Sequence, residues 1–407
     1  MYPKNSFIIP YKRLLFDEET IQAAVDYMRR GVIVRDDEPL LQLEKHWAYY
    51  FGQKEAISVA NGSLAGWLSL LGLGIGPGDE VIVPANTDVP VGSQVVHAGA
   101  KPVFVDCELD TFNIDPKRIE EKITPKTKAI TAVDSMGHPA DFDPIREIAK
   151  KHDLFVVEDL CHSVGAKYRG KMLPLGDVSY VSFHGKALWT AGYGAMVTTN
   201  NEEVAEKIRL ERYHGTSVRG YTSKPVRVRP DGVWENMNEN FSLNYRPSEI
   251  DAVVALCQLG RLQKYVEMQR KNAHIYTELL KGTPVIPPVE KEYAYHVYCR
   301  YVIRAPRRDE LQAYLAQEGV ETGQLYPAPI PLLRPFAEKF GYKKGDFPVT
   351  ERQKNEQLGL PEPRFRDRTD LEYVTSKIRE FYEKKMEIGE QERRKTPIAA
   401  DIISDSH

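Results

Sequence analysis

Six short β-branched runs between Glu80 and Thr199 constrain this chain more than any other feature. They are Glu80–Val83, Pro102–Asp106, Ala129–Val133, Leu154–Val157, Val178–Ser182 and Ala195–Thr199. Each shows little polar alternation, so each predicts a strand buried on both faces. Helical patterns such as Pro116–Ile123 and Pro144–His152 separate several of them. Strand, helix and strand repeated in this order predict an α/β fold, a mostly parallel sheet covered by helices on both faces. Ligands of such sheets sit at the carboxyl ends of the strands. The polar residues just after each strand are therefore the first candidates for chemistry.

The pattern changes after Asn200. Glu202–Tyr213 predicts a helix, and Gly215–Phe241, rich in Gly, Pro, Arg and Asn, predicts a long irregular loop of the kind that serves function or an interface. Pro247–Leu280 predicts one long helical stretch. From Tyr295 to Glu383, a strand at His296–Ile303 and amphipathic helices at Arg308–Glu318 and Leu371–Glu383 predict a smaller α+β domain. The division expected is a large domain over residues 1–255 and a smaller C-terminal domain over 256–385. A tail, 386–407, shows no sustained periodicity from Glu387 onward and is expected to be disordered.

Composition excludes several classes. The 407 residues carry a formal charge of -3 and a pI near 6.4, with no run of Lys and Arg, so no nucleic-acid partner is expected. Cys107, Cys161, Cys257 and Cys299 lie far apart and fit no zinc spacing. Reduced thiols, no metal and a cytoplasmic setting are the expectation. Met1–Leu15 lacks the apolar core of a signal peptide. The most apolar stretch, Leu64–Ile75, is broken by glycines and too short to span a bilayer, so no membrane role is expected.

Five places could carry chemistry. Asp159 ends the run Leu154–Glu158, and a carboxylate there is costly unless it meets a positive partner. A protonated pyridine nitrogen is one such partner, and capping of the turn that follows is the structural alternative. Lys186 comes after the strand Val178–Phe183 and before the glycine-bearing turn Thr190–Gly194. A lysine in a partly dry cleft becomes a nucleophilic amine able to form a Schiff base, whereas most lysines are simply solvated. Asn61-Gly62-Ser63 opens a helical pattern and so offers free amides, a hydroxyl and a positive helix end, a phosphate site by physics or an ordinary cap. His162, three residues after Asp159, and Asn244, which precedes a helix, are further polar candidates. His162 is as well explained by a structural histidine, and Asn244 by a helix cap. The glycines at 72, 74, 76 and 78 precede a strand and read as a helix stop and turn, not as a dinucleotide fingerprint.

In this order the residues resemble the sugar aminotransferase family named after DegT, DnrJ, EryC1 and StrS. The resemblance runs from about Pro10 to Tyr382. It is strongest at Ser58–Ser63, Gly72–Pro84, Ala98–Asp115, Gly137–Asp143, Val156–Ala166, Ser182–Thr199 and Leu243–Leu262. It implies the type I aminotransferase fold, pyridoxal 5'-phosphate as cofactor and a homodimer. It implies that Lys186 holds the cofactor as a Schiff base, that Asp159 faces the pyridine nitrogen and that His162 lies near the phenolic oxygen. Gly62, Ser63 and Ser182 match phosphate ligands, and Asn244 matches a residue that reaches the phosphate from the other subunit. Gly185-Lys186 with Thr190-Ala191-Gly192 looks closest to the branch containing 3-amino-5-hydroxybenzoate synthases.

Three departures stand out. Lys186 is one residue nearer Ser182 than the family lysine normally is. Asp88 occupies the place of an aromatic ring that stacks on the cofactor, and it is counted here with the cofactor-binding residues. The turn reads Gly192-Tyr193-Gly194-Ala195, where the family has Gly-Glu-Gly-Gly. The expected reaction moves an amino group from Glu or Gln to a keto-sugar or keto-cyclitol. Dehydration or isomerisation of a sugar on the same fold, or a non-catalytic partner subunit, are the alternatives.

Overall fold

The structure, a computed structural model, describes residues 7–12, 16–31, 38–184, 193–216, 227–232, 234–235 and 240–395. Its centre is a seven-stranded sheet. In chain order the strands are β1 (Glu55–Val59), β2 (Glu80–Pro84), β3 (Lys101–Val105), β4 (Thr127–Val133), β5 (Phe155–Asp159), β6 (Val178–Ser182) and β7 (Ala195–Thr199). Across the sheet they lie in the order β1-β7-β6-β5-β4-β2-β3. The pairs β2/β3, β2/β4, β4/β5 and β5/β6 are parallel. Only β7 runs against its neighbours β6 and β1. The mostly parallel sheet expected from the sequence is the one observed.

The strands lack polar alternation because both faces are covered. Ile82, Ile130 and Met196 enter one core, with Trp47, Phe142 and Ile145. Val81, Val83, Ala129 and Val197 enter the other, with Leu68, Val91, Val95 and Phe104. The Phe142–His152 helix shows how the covering works. Its buried residues Phe142, Ile145 and Ala149 fall on one helical face, and it stops at Asp153 in the left-handed conformation. The Gly62–Gly72 and Val89–His97 helices cover the opposite face.

A third core gathers Tyr276, Tyr301, Leu311, Leu315, Leu371, Val374 and Ile378. It forms around the antiparallel pair Tyr301–Arg304 and Gln357–Leu360. Ile9 belongs to this core and bridges Val320, so the start of the chain packs on its C-terminal part. Leu259, Leu262, Val266 and Val297, in turn, pack in the first core of the large sheet.

Several local expectations are corrected. Pro116–Ile123 is not one helix but two short 3-10 turns, Pro116–Arg118 and Glu120–Lys122, because Asp115 caps the first turn and the segment buries too little to extend it. The Pro247–Leu280 stretch is two helices, Glu249–Leu259 and Leu262–Leu279, broken at Gly260, where helix propensity is lowest. The final helix runs from Arg368 to Lys395 and so enters the stretch expected to be disordered. Glu, Lys, Arg and Met sustain a helix by propensity without an apolar period. Residues 396–407, most of Gly215–Phe241 and Lys186 itself lie outside the described residues.

Candidate active site

The carboxyl ends of β1, β5 and β6, with the loop after β2, surround one cleft of about 670 Å³. Its walls include Gly62, Ser63, Asp88, Gln94, Asp159, Cys161, Tyr180, Ser182, His184 and Tyr193. The sheet's topology accounts for the location, since parallel strands deliver their C-terminal polar residues to one edge.

One wall is a helix N-terminus. Asn61 is extended, and its side chain accepts from the Leu64 amide at 3.0 Å, so the helix starts at Gly62. The first-turn amides of Gly62 and Ser63 have no partner within the helix, which is the arrangement that takes an anion. Glycine is required at 62 by a close approach. A Cβ there would stand 2.6 Å from the Ser182 Cβ and 3.1 Å from its Oγ. The Ser182 hydroxyl thus faces the helix start. It accepts from the His184 amide at 3.2 Å, a bond that leaves its proton for another acceptor.

Asp159 forms the buried end, 5% exposed. Its Oδ1 accepts from the Cys161 amide at 2.8 Å and its Oδ2 from the Tyr180 hydroxyl at 3.0 Å. A carboxylate held this way favours a cation brought to it from the cleft. The two features fit a pyridoxal phosphate group. A cradle that a single Cβ would fill could receive a phosphate, and a buried carboxylate could receive a protonated ring nitrogen.

The remaining candidates are distributed as follows. Asp88 lies at the start of the Val89–His97 helix, half-buried and on the cleft wall, and makes no side-chain cap bond. His162 is buried in the turn after β5, but it is not among the residues lining the cleft. Its Nδ1 accepts from the Met136 amide at 3.4 Å and stands 3.3 Å from the Tyr326 hydroxyl. Asn244 is exposed outside the cleft, bridging Tyr213 through its backbone and accepting from the Arg246 amide through Oδ1 at 3.2 Å. The structure therefore brings Gly62, Ser63, Asp88, Asp159 and Ser182 together on the cleft wall, with His162 buried in the turn just behind Asp159 and Asn244 exposed outside the cleft.

Sequence reasoning passed over Tyr180 and Gln94. The signal for Tyr180 was its place two residues before Ser182 on one strand, which puts both on the same face. Gln94 shares a helix face with Pro90 and Val91, one turn away. A second cavity of about 650 Å³ adjoins the cleft, sharing Ser63, Leu64, Pro90 and Gln94 and adding Trp67, Val89, His97 and Tyr245.

Comparison with known proteins agrees with this geometry. The model of the DegT/DnrJ/EryC1/StrS aminotransferase family matches residues 15–379. The chain is 40% identical over 370 residues to a pleiotropic regulatory protein of Geobacillus stearothermophilus, covering 89% of this chain and 94% of that one. It is 36% identical over 306 residues to the GDP-perosamine synthase of Caulobacter vibrioides, covering 73% and 78%. Among solved structures it is similar to S. venezuelae DesV in complex with a ketimine intermediate, at 33% identity and a TM-score of 0.81 over 89% of this chain and 94% of that one. Other matching structures of the type I fold hold the cofactor in its pyridoxal or pyridoxamine form. The chain belongs to the DegT/DnrJ/EryC1/StrS aminotransferase family and is a pyridoxal phosphate-dependent aminotransferase.

Proposed function

We propose that the chain moves an amino group from glutamate or glutamine to a keto group on a sugar or cyclitol. The observation that carries this is the shared cleft, in which the Gly62 cradle faces Ser182 and leads to the buried Asp159 carboxylate. The likeness to a GDP-perosamine synthase supports a sugar acceptor. On this reading Gly62, Ser63 and Ser182 hold the phosphate, Asp159 keeps the ring nitrogen protonated and His162 supports the phenolic side. When bound, the cofactor supplies an electron sink for the carbon that loses its proton. On this reading Lys186 would hold the cofactor, and its amine, once displaced, would carry the proton. Asp88 presents its carboxylate to hydroxyls or amines of the acceptor. On the same reading most of residues 1–255 form the cofactor-binding domain and most of 256–385 the smaller one, with Ile9 packed on the latter and Leu259, Leu262, Val266 and Val297 on the former. Four cysteines, all free, suit a cytoplasmic enzyme.

Glutamate or glutamine alone should shift the visible absorption of the cofactor-loaded protein, and a keto-sugar added afterwards should restore it. Free and nucleotide-linked acceptors form separate arms of this assay. Asp88→Asn should raise KM for the acceptor and leave the donor step alone. Borohydride reduction should fix the cofactor on Lys186 in peptide maps. Fixation on Lys171, or no spectral response to any donor, would overturn the reading.

The enzyme works as a homodimer on the same reading, with Asn244 reaching the phosphate of the neighbouring subunit. Support comes from the surface beside the cleft, where Phe241 is fully exposed and Leu243 is 64% exposed, next to Trp67 and Tyr245. Contiguous exposed apolar residues of this kind mark interfaces. Sedimentation should show a dimer, and Asn244→Ala should weaken cofactor retention several-fold without unfolding the chain. A monomer that keeps its cofactor fully would contradict this.

A further inference from the structure

Tyr180 leaves β6 on the same side as Ser182 and is almost wholly buried at the cleft wall. Its hydroxyl stands 3.0 Å from Asp159 Oδ2 and 3.2 Å from Gln94 Oε1. One phenol carries one proton, so two acceptors compete for it. Gln94 is oriented by its other end, where Nε2 donates to the Gly62 carbonyl at 3.1 Å and leaves Oε1 turned to Tyr180. Gly66 makes room for this side chain, since a Cβ at 66 would sit 2.2 Å from Gln94 Oε1. A charged carboxylate is a stronger acceptor than an amide oxygen, and the proton goes to Asp159.

We propose that Tyr180 is a positioning residue for Asp159: its hydroxyl donates to Oδ2 and fixes the rotation of the carboxylate. The phenol keeps its proton for this task. Burial pushes it well above the ordinary tyrosine range, and the negative charge of Asp159 pushes the same way, as do Cys161 and Asp88. Behind the cleft, Asp134 and Glu158 are both driven up by burial. Among the described residues, Oδ1 of Asp159 accepts from the Cys161 amide and Oδ2 from the Tyr180 hydroxyl. Each hydrogen bond to the charged form lowers the basicity of the carboxylate. Tyr180 thus sets how strongly Asp159 draws a proton off a ring nitrogen facing it, as well as where the carboxylate points.

The inference rests on the proposed meeting of Asp159 with the cofactor's ring nitrogen, and the test separates the two. The full-length protein is loaded with pyridoxal phosphate carrying nitrogen-15 in the ring, and that resonance is followed in wild type, Tyr180→Phe and Asp159→Asn. Tyr180→Phe keeps the ring and the packing, and an unchanged melting temperature checks this. With the phenol gone, the carboxylate is more basic and the resonance should move toward the unprotonated position, with kcat falling roughly tenfold. Asp159→Asn should move it further. If Asp159→Asn moves the resonance and Tyr180→Phe does not, the role of Tyr180 is refuted and the placement of the ring stands. If neither moves it, the placement falls and the role of Tyr180 falls with it.

Discussion

Replacing Asp159 with Asn should lower kcat about a thousandfold while leaving the fold intact. Asn has the shape of Asp and can still accept from the Cys161 amide, now 2.8 Å from Oδ1. On the Oδ2 side its amide can donate to the Tyr180 oxygen, and the phenol can turn its proton to Gln94 Oε1, which is 3.2 Å away. The hydrogen bonds are therefore conserved and only the charge is lost. That charge is what keeps a pyridine ring protonated and able to accept electrons. In a buried site an oriented charge facing a developing one contributes about 4 kcal/mol, which corresponds to roughly a thousandfold in rate. Single-turnover conversion with glutamate measures the loss directly, and thermal melting shows whether the fold survives. A variant within tenfold of wild type would remove Asp159 from the chemistry.

The sheet was legible because burial on both faces leaves a mark in sequence. Val81, Ile82 and Val83 go to alternate cores and are all apolar, so the run reads as a strand without alternation. Asp159 was legible for the opposite reason, being a charge at the end of such a run. Gly62 was legible as a helix opening, but the cause of the glycine was not. That cause is Ser182, distant in sequence and close in space. Gln94 and Tyr180 are hidden in the same way, since the Tyr180 hydroxyl lies between Asp159 and Gln94 and so joins three separate elements. Helix limits were the weakest part. Nothing local at Pro116–Ile123 distinguishes a full helix from two capped 3-10 turns, and the charged residues leading to Lys395 show how propensity can extend a helix that has no apolar stripe. The resemblance supplied expectations that geometry does not: a cofactor role for Lys186, which lies outside the described residues, and one for Asn244, which lies outside its own cleft.

The largest loss of stability should come from Glu362→Leu, about 3–5 kcal/mol. Glu362 is 5% exposed and pairs with the buried Arg300, whose Nη1 also donates to the Cys299 carbonyl at 3.2 Å. Arg364, 6% exposed, lies in the same region. Burial holds its guanidinium below the ordinary arginine range, and Glu362 acts against that shift. The charge of Glu362 therefore pairs directly with Arg300 and acts electrostatically on Arg364, so removing it withdraws an anion from both buried cations. Arg300→Leu should cost less, because Glu362 retains Arg364 as a counter-charge. The position matters for the whole chain. Glu362 receives the backbone of Tyr11 by donating its amide to the Tyr11 carbonyl at 2.9 Å, and Arg366 donates to the Pro10 carbonyl. The N-terminal segment is thus clamped where the ion cluster sits, beside the core that contains Ile9. Urea unfolding of both single variants and of the double variant gives the coupling between them. The double variant should be less destabilised than the sum of the singles, since it no longer buries Arg300 against a missing partner. Equal costs for Glu362→Leu and Arg300→Leu, or a cost below about 1 kcal/mol for Glu362→Leu, would show that Arg364 does not share the carboxylate.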